Sequence, residues 1–91
     1  MKFELGKLVA TTGVVVHMKA KEVDMGVLLN LVVRHHEGDW GDVCDDDWHA
    51  NDEALLSGGR LLSAYELIGE KIWIITEHDR SVTTILFPDE Y

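Results

Sequence analysis

The chain has 91 residues, 46% hydrophobic and 27% charged, a balance that is typical of a folded globular protein and excludes a disordered tail. This length predicts a single domain over residues 1–91 with a small core. The apolar runs are shorter than the roughly 18 residues that a membrane-spanning helix needs, and Glu4 interrupts the region where a signal peptide would be apolar. We therefore expect a cytoplasmic protein. The single cysteine, Cys44, excludes an intrachain disulfide.

The N-terminal segment predicts a short edge strand at residues 5–10, which are half apolar and precede a Thr-Thr-Gly turn signal at residues 11–13. Residues 14–18 fit two structures, because consecutive valines favour a strand whereas Thr12 could cap a short helix. We favour the helix. A polar connection follows at residues 19–22.

A helix from Asp24 to about Glu37 is the clearest element of the sequence. Asp24 can cap its first turn, and apolar residues recur at the spacing of an amphipathic helix. These residues are Met25, Leu28, Leu29, Val32 and Val33. Val27 and Leu31 widen the apolar stripe, which predicts burial on more than one side. Gly38 is suited to end the helix.

A turn is predicted at residues 38–42, in which the Trp40 side chain anchors the chain to the core. A second helix is expected over residues 45–56, and the Gly-Gly pair at residues 58–59 ends it. Its inward stripe is thin, so we expect this helix to lie at the surface. The stripe consists of Trp48, Asn51, Leu55 and Leu56.

The last third of the chain has the character of strands. Three runs at residues 60–67, 71–77 and 81–87 are rich in β-branched and aromatic residues and are joined by three-residue connections. Such short connections allow only antiparallel hairpins, so the runs predict a meander with residues 71–77 in the middle. The predicted fold is α+β: a small antiparallel β-sheet, to which the N-terminal strand could be added at an edge, with two helices packed on one face.

Residues 35–59 carry eight carboxylates and no Lys or Arg, in a chain whose formal charge is -9. Helix capping accounts for Asp45, Asp46 and Asp47 but not for the other five acids. A solvated acidic loop is one interpretation. The other is a surface that binds a basic partner, where aromatic residues anchor and charges steer. The candidate partner-binding residues are Asp39, Trp40, Asp42, Asp46, Trp48 and Asp52.

Two further clusters contain groups suited to catalysis. His35, His36 and His49 could bind zinc or manganese together with nearby Asp residues, but their spacing matches no standard site, and we expect no metal or other cofactor. The turn around Asp79 and Arg80 also holds Glu, His and Ser, yet polar residues are typical of hairpin turns, where these two side chains can pair. A metal-dependent hydrolase or nuclease-like enzyme is the alternative hypothesis.

Five segments resemble a family of small proteins encoded on bacterial plasmids and integrated mobile elements. They are FELGKLVAT (3–11), GDWGD (38–42), NDEAL (51–55), GGRLLSAY (58–65) and IWIITEHDRSVTTILFPDEY (72–91), which cover more than half of the chain. Members are described as hypothetical or plasmid-related proteins, some with a type I restriction-modification label. Residues 14–24 depart from the helical segment that the resemblance implies. The chain also lacks the glycine-rich cofactor loop that a methyltransferase would need.

The combined expectation is a small acidic accessory protein of a mobile element, non-catalytic, which binds an unidentified basic protein surface through its acidic helix and turn. In one form of this hypothesis the acids imitate DNA phosphates in an anti-defence role. We expect no direct binding to nucleic acid or membranes, because the sequence has neither a basic patch nor a membrane span. Association into a homodimer is left open.

Overall fold

The computed structural model describes residues 3–91 and contains three helices, a four-stranded sheet and a C-terminal 3-10 turn. The α+β fold is therefore confirmed, with the short helix favoured at residues 14–18 present in addition to the two longer predicted helices. In chain order the elements are β1 (Lys7–Ala10), α1 (Thr12–Ala20), α2 (Met25–His36), α3 (Asp45–Ser57), β2 (Leu61–Leu67), β3 (Glu70–Thr76), β4 (Val82–Leu86) and the 3-10 turn (Pro88–Glu90).

The strand order in the sheet is β1-β4-β3-β2. The predicted meander is confirmed, since β3 pairs antiparallel with both β2 and β4. The N-terminal strand does lie at an edge, but β1 runs parallel to β4, in register from Lys7 opposite Val82 to Ala10 opposite Ile85. The prediction of a purely antiparallel sheet is wrong at this position. Three helices separate β1 from the meander, so no short hairpin restricts the direction of the strand.

Residues 14–18 are helical, as favoured from the sequence. The cap of α1 is Thr11 rather than Thr12, because the Thr11 side-chain oxygen accepts a hydrogen bond from the Val14 N–H at 3.3 Å. Val14 and Met18, one helical turn apart, are buried against the sheet. The helix therefore adds a third apolar surface to the core, on the same side of the sheet as α2.

Helix α2 begins after its predicted cap, where the Asp24 carboxylate accepts a hydrogen bond from the Gly26 N–H at 3.0 Å. Its buried residues are Leu28, Val32 and His35, while Met25, Val27, Leu29 and Val33 are exposed. The prediction that this helix is buried on more than one side is wrong. The sheet has only four strands, and no other element among residues 3–91 covers the flank that carries Met25.

Two apolar clusters form the core. The larger lies between α1, α2 and one face of the sheet, where Ile72 and Ile74 of β3 are fully buried. The smaller centres on Trp40, which is fully buried with Ala54 of α3 and Leu61 of β2. The predicted anchoring of the turn by Trp40 is confirmed. This second cluster holds α3 and the preceding loop at the β2 end of the sheet.

Candidate functional site

Seven of the eight carboxylates of the acidic segment fall into two groups, and Asp39 and Asp52 form the first. The eighth, Glu37, is exposed at the C-terminal end of α2. The Asp39 carboxylate forms an ion pair with Arg34 Nε at 2.8 Å and accepts a hydrogen bond from the Gly41 N–H at 3.1 Å. The hydrogen bond from Arg34 holds the pKa of Asp39 below its usual value. The Asp52 carboxylate accepts a hydrogen bond from Trp40 Nε1 at 3.0 Å. Both acids therefore stabilise the loop.

Trp40 does not belong to an exposed partner-binding surface. Its side chain is 0% exposed and lies 6.2 Å from the Phe3 ring, in a stacked arrangement, and 5.6 Å from the His35 ring, edge to face. The prediction of Trp40 as a partner contact is therefore wrong, because no partner can reach it without unfolding the loop. Trp48 packs against the same cluster but is only partly buried. It remains the aromatic side chain of α3 that a partner could touch.

The second group of acids is exposed. Within residues 3–91, no hydrogen bond or ion pair engages these side chains, which we call the acidic rim: Asp42, Asp45, Asp46, Asp47 and Glu53. Three of them occupy the first turn of α3, where negative charge suits the helix dipole. None of the three is the cap, because that position belongs to Cys44, whose side chain makes no capping hydrogen bond. The rim therefore lies on α3 and the loop before it, exposed to solvent.

A groove of about 450 Å³ borders the rim, between the start of α3 and the sheet face opposite α1 and α2. Asp42 and Asp47 line it, as do Arg60, Lys71 and the partly buried Trp73. Acidic and basic side chains therefore share one concave surface around an indole ring. Such a surface suits an extended peptide segment better than a compact ion, because charges of both signs are spread along it.

The three histidines considered as metal ligands have separate environments. His35 is fully buried, with Nδ1 2.5 Å from Ser63 Oγ and Nε2 2.8 Å from Thr76 Oγ1. Burial, with smaller effects of His36 and Arg80, lowers the pKa of His35 to about 3, so its ring is neutral. Among residues 3–91, no three His, Cys, Asp or Glu side chains are grouped to hold a metal ion.

The other two histidines do not complete a site either. His36 Nε2 lies 2.7 Å from the Phe3 carbonyl oxygen, and His49 is exposed on α3. The buried network continues instead from Thr76 to Thr83 at 2.7 Å. Sequence analysis missed this network, because its members come from α2, β2, β3 and β4 and share no sequence spacing.

The hairpin turn between β3 and β4 is a structural junction. The Asp79 carboxylate accepts hydrogen bonds from the Ser81 N–H and hydroxyl at 3.0 and 2.6 Å. The Arg80 guanidinium donates to the carbonyl oxygens of Gly59 at 2.7 Å and Ala54 at 3.1 Å. The predicted pairing of Asp79 with Arg80 is wrong, since each has another partner. Arg80 instead caps the C-terminal end of α3 and ties it to the hairpin.

No protein-family model, curated protein or solved structure matches this chain. None of the helices within residues 3–91 combines the length and the apolar character needed to cross a membrane.

Proposed function

We propose that this chain is a non-catalytic, cytoplasmic accessory protein that binds a basic segment of a partner protein through the acidic rim. The supporting observation is that five carboxylates stand exposed on one loop and helix without a basic partner among residues 3–91. Unneutralised charge of one sign raises the local concentration of oppositely charged partners and accelerates encounter. The proposed link to plasmids and mobile elements rests on the resemblance of residues 3–11, 38–42, 51–55, 58–65 and 72–91 to that family.

The surface that carries the rim is preorganised. Arg34 and Trp40 hold the loop through Asp39 and Asp52, and the Tyr65 hydroxyl donates a hydrogen bond to the Asp39 carbonyl oxygen. A surface that is already ordered loses little conformational entropy when it binds, so more of its interaction energy contributes to affinity. Trp48 and the groove beside Trp73 supply the apolar contacts that charge alone does not provide.

The enzyme hypothesis has weaker support. General acid–base catalysis by two carboxyl groups needs one buried group and one solvated group, whereas all the rim acids are exposed. His35 is hydrogen-bonded to Ser63 and Thr76 and is fully buried, so a substrate cannot reach its ring. A metal-dependent hydrolase would further need clustered ligands, and residues 3–91 contain no such group.

The test compares two sets of charge removals. The rim variant carries Asp42→Asn, Asp46→Asn and Asp47→Asn, and its control carries Glu4→Gln and Glu66→Gln with Glu70→Gln, all exposed acids outside the rim. Binding of a fluorescent Lys/Arg-rich peptide is measured by anisotropy at physiological salt. We expect the rim variant to lose at least about tenfold in affinity, equivalent to about 1.4 kcal/mol, while the control changes by less than about twofold.

Partner capture from a bacterial host lysate, with the same two variants as baits, then identifies the natural ligand. Both variants should stay folded by circular dichroism, since no hydrogen bond or ion pair within residues 3–91 engages the substituted side chains. The rim variant should melt slightly below the wild type, because Asp46 and Asp47 lie in the first turn of α3, where negative charge suits the helix dipole. Equal losses of peptide affinity in the two variants would show that net charge, not the rim, governs binding.

A further inference from the structure

The outer edge of β1 is the open edge of the sheet. β1 ends the strand order, and no further strand among residues 3–91 pairs with it. The Lys7 N–H donates to the carbonyl oxygen of Ser81, just before β4, at 3.0 Å, and the Thr11 N–H donates to that of Ile85 in β4 at 2.9 Å. Because N–H groups alternate in direction along a strand, those of Leu8 and Ala10 point away from the sheet. An edge of this kind can pair with another strand.

An apolar groove of about 370 Å³ runs beside this edge, between β1, α1 and α2. Leu8, Val15, Met25 and Leu29 line it, with 41%, 37%, 55% and 46% of their surfaces exposed. Val33, 56% exposed, continues the stripe one turn further along α2. The five side chains expose roughly 400–500 Å² of apolar surface, as much as the largest patch of a typical monomer.

The charges around the groove favour a second copy of the same chain. Lys19 and Glu22 are the charged residues that line it, one of each sign. In a two-fold interface the same patch of both copies meets, so Lys19 of one copy can approach Glu22 of the other, and the reverse. A patch with one cation and one anion is therefore complementary to itself. A strongly basic or strongly acidic partner would meet one like charge here for its one opposite charge.

The position of the acidic rim also permits association at β1. Helix α3 packs against β2, at the other end of the sheet. The two edge strands are three strand spacings apart, about 14 Å. Two copies that meet at β1 therefore keep their acidic rims on the outer ends of the assembly, where mutual repulsion is smallest.

We propose that two copies associate by antiparallel pairing of β1 with β1 about a two-fold axis perpendicular to the sheet. The product is a continuous eight-stranded sheet with the helices of both copies on one side. The stripes of Met25, Leu29 and Val33 then face each other across the axis. A standard interface buries about 800 Å² on each partner, of which the apolar patch supplies about half and the strand edge with its surroundings the rest. An apolar small molecule could fill the groove, but only a strand also engages Leu8 and Ala10.

Sedimentation of the wild type over about 0.1–100 µM, a range that brackets a micromolar Kd, tests the proposal. We expect a species of twice 10.3 kDa at the upper end of the range. Leu29→Glu should shift it to the monomer by placing a charge at the axis. Val27→Glu is the matched control, since Val27 is equally exposed on the other flank of α2 and should leave the dimer intact.

Amide hydrogen exchange adds a readout that is specific for strand pairing. The N–H groups of Leu8 and Ala10 should be protected in the dimer and exchange freely in the Leu29→Glu monomer. If Leu29→Glu fails to fold by circular dichroism, Leu8→Lys at the strand edge replaces it. A wild type that stays monomeric throughout the range would overturn the proposal. So would a dimer that survives both substitutions, or one in which Leu8 and Ala10 remain unprotected. The proposed dimer forms at β1, the edge strand opposite the acidic rim. The sedimentation result is therefore independent of whether the rim binds a basic partner.

Discussion

The two edge strands of the sheet differ in whether other parts of the chain cover their outer backbone groups. At β2, the Asn51 side chain of α3 donates to the Leu62 carbonyl oxygen at 2.7 Å and accepts from the Leu62 N–H at 3.1 Å. Ala64 is the next residue of β2 whose backbone groups point away from the sheet, and the loop before α3 pairs with it. The Ala64 N–H donates to the Trp40 carbonyl oxygen, and the Ala64 carbonyl oxygen accepts from the Asp42 N–H. This edge is closed to further strands at Leu62 and Ala64.

No comparable cover exists at β1 within residues 3–91, where apolar side chains surround the open strand edge. The difference shows how a small sheet can separate two kinds of surface. Helix α3 and the loop before it cover the β2 edge and also carry the acidic rim. The negative charge therefore lies at the edge where a further strand cannot pair. The apolar surface lies at the edge that remains able to pair.

The largest effect is expected from opening the closed edge. Trp40→Ala removes a fully buried indole on which α3 and the loop pack, and such truncations cost about 3–5 kcal/mol. The free energy of unfolding in urea measures the loss. Trp73→Ala is the control, because Trp73 is only partly buried and contacts the C-terminal Tyr91 ring edge to face at 5.8 Å. A larger decrease in the free energy of unfolding for Trp73→Ala than for Trp40→Ala would contradict this prediction. The Trp40 cluster would then contribute less to stability than the packing of Trp73.

Stability should fall at acidic pH because of the buried hydrogen-bond network of His35, Ser63, Thr76 and Thr83. His35 has a pKa of about 3 when folded and about 6.5 when unfolded, so only the unfolded chain takes up its proton between these values. Stability should be retained above pH 6.5 and fall by about 1.4 kcal/mol per unit as pH decreases toward 3. Urea unfolding at several pH values measures the slope, and His35→Gln should flatten it. An unchanged slope in that variant would assign the acid sensitivity to carboxylates.

A smaller effect is expected from one side chain at the closed edge. Asn51→Ala leaves the N–H and carbonyl of Leu62 without their partner, at a cost of about 1–3 kcal/mol. Hydrogen exchange at the Leu62 amide should accelerate more than exchange elsewhere in β2. Asn30→Ala, at an exposed position of α2, is the matched control and should be close to neutral. Equal effects of the two substitutions would contradict the role of Asn51 in closing the edge.

Local features of the sequence determined the elements. Asp24 and Gly38 mark the ends of α2 to within a residue or two, the Gly-Gly pair at residues 58–59 ends α3, and the short connections of the last third force an antiparallel meander. These features act over a few residues, through capping groups, side-chain periodicity and turn length, and a single sequence displays them directly. The acidic segment and its aromatic anchor were equally visible.

Only the tertiary structure decided how those elements combine. The parallel direction of β1, the division of the acids into bonded Asp39 and Asp52 and an exposed rim, and the burial of His35 all depend on residues far apart in the chain. The flank of α2 that carries Leu29 reads as core in the sequence, because apolar periodicity shows which residues could be buried but not whether a neighbouring element is present to cover them. Burial requires a second surface, and the fold alone determines where that surface lies.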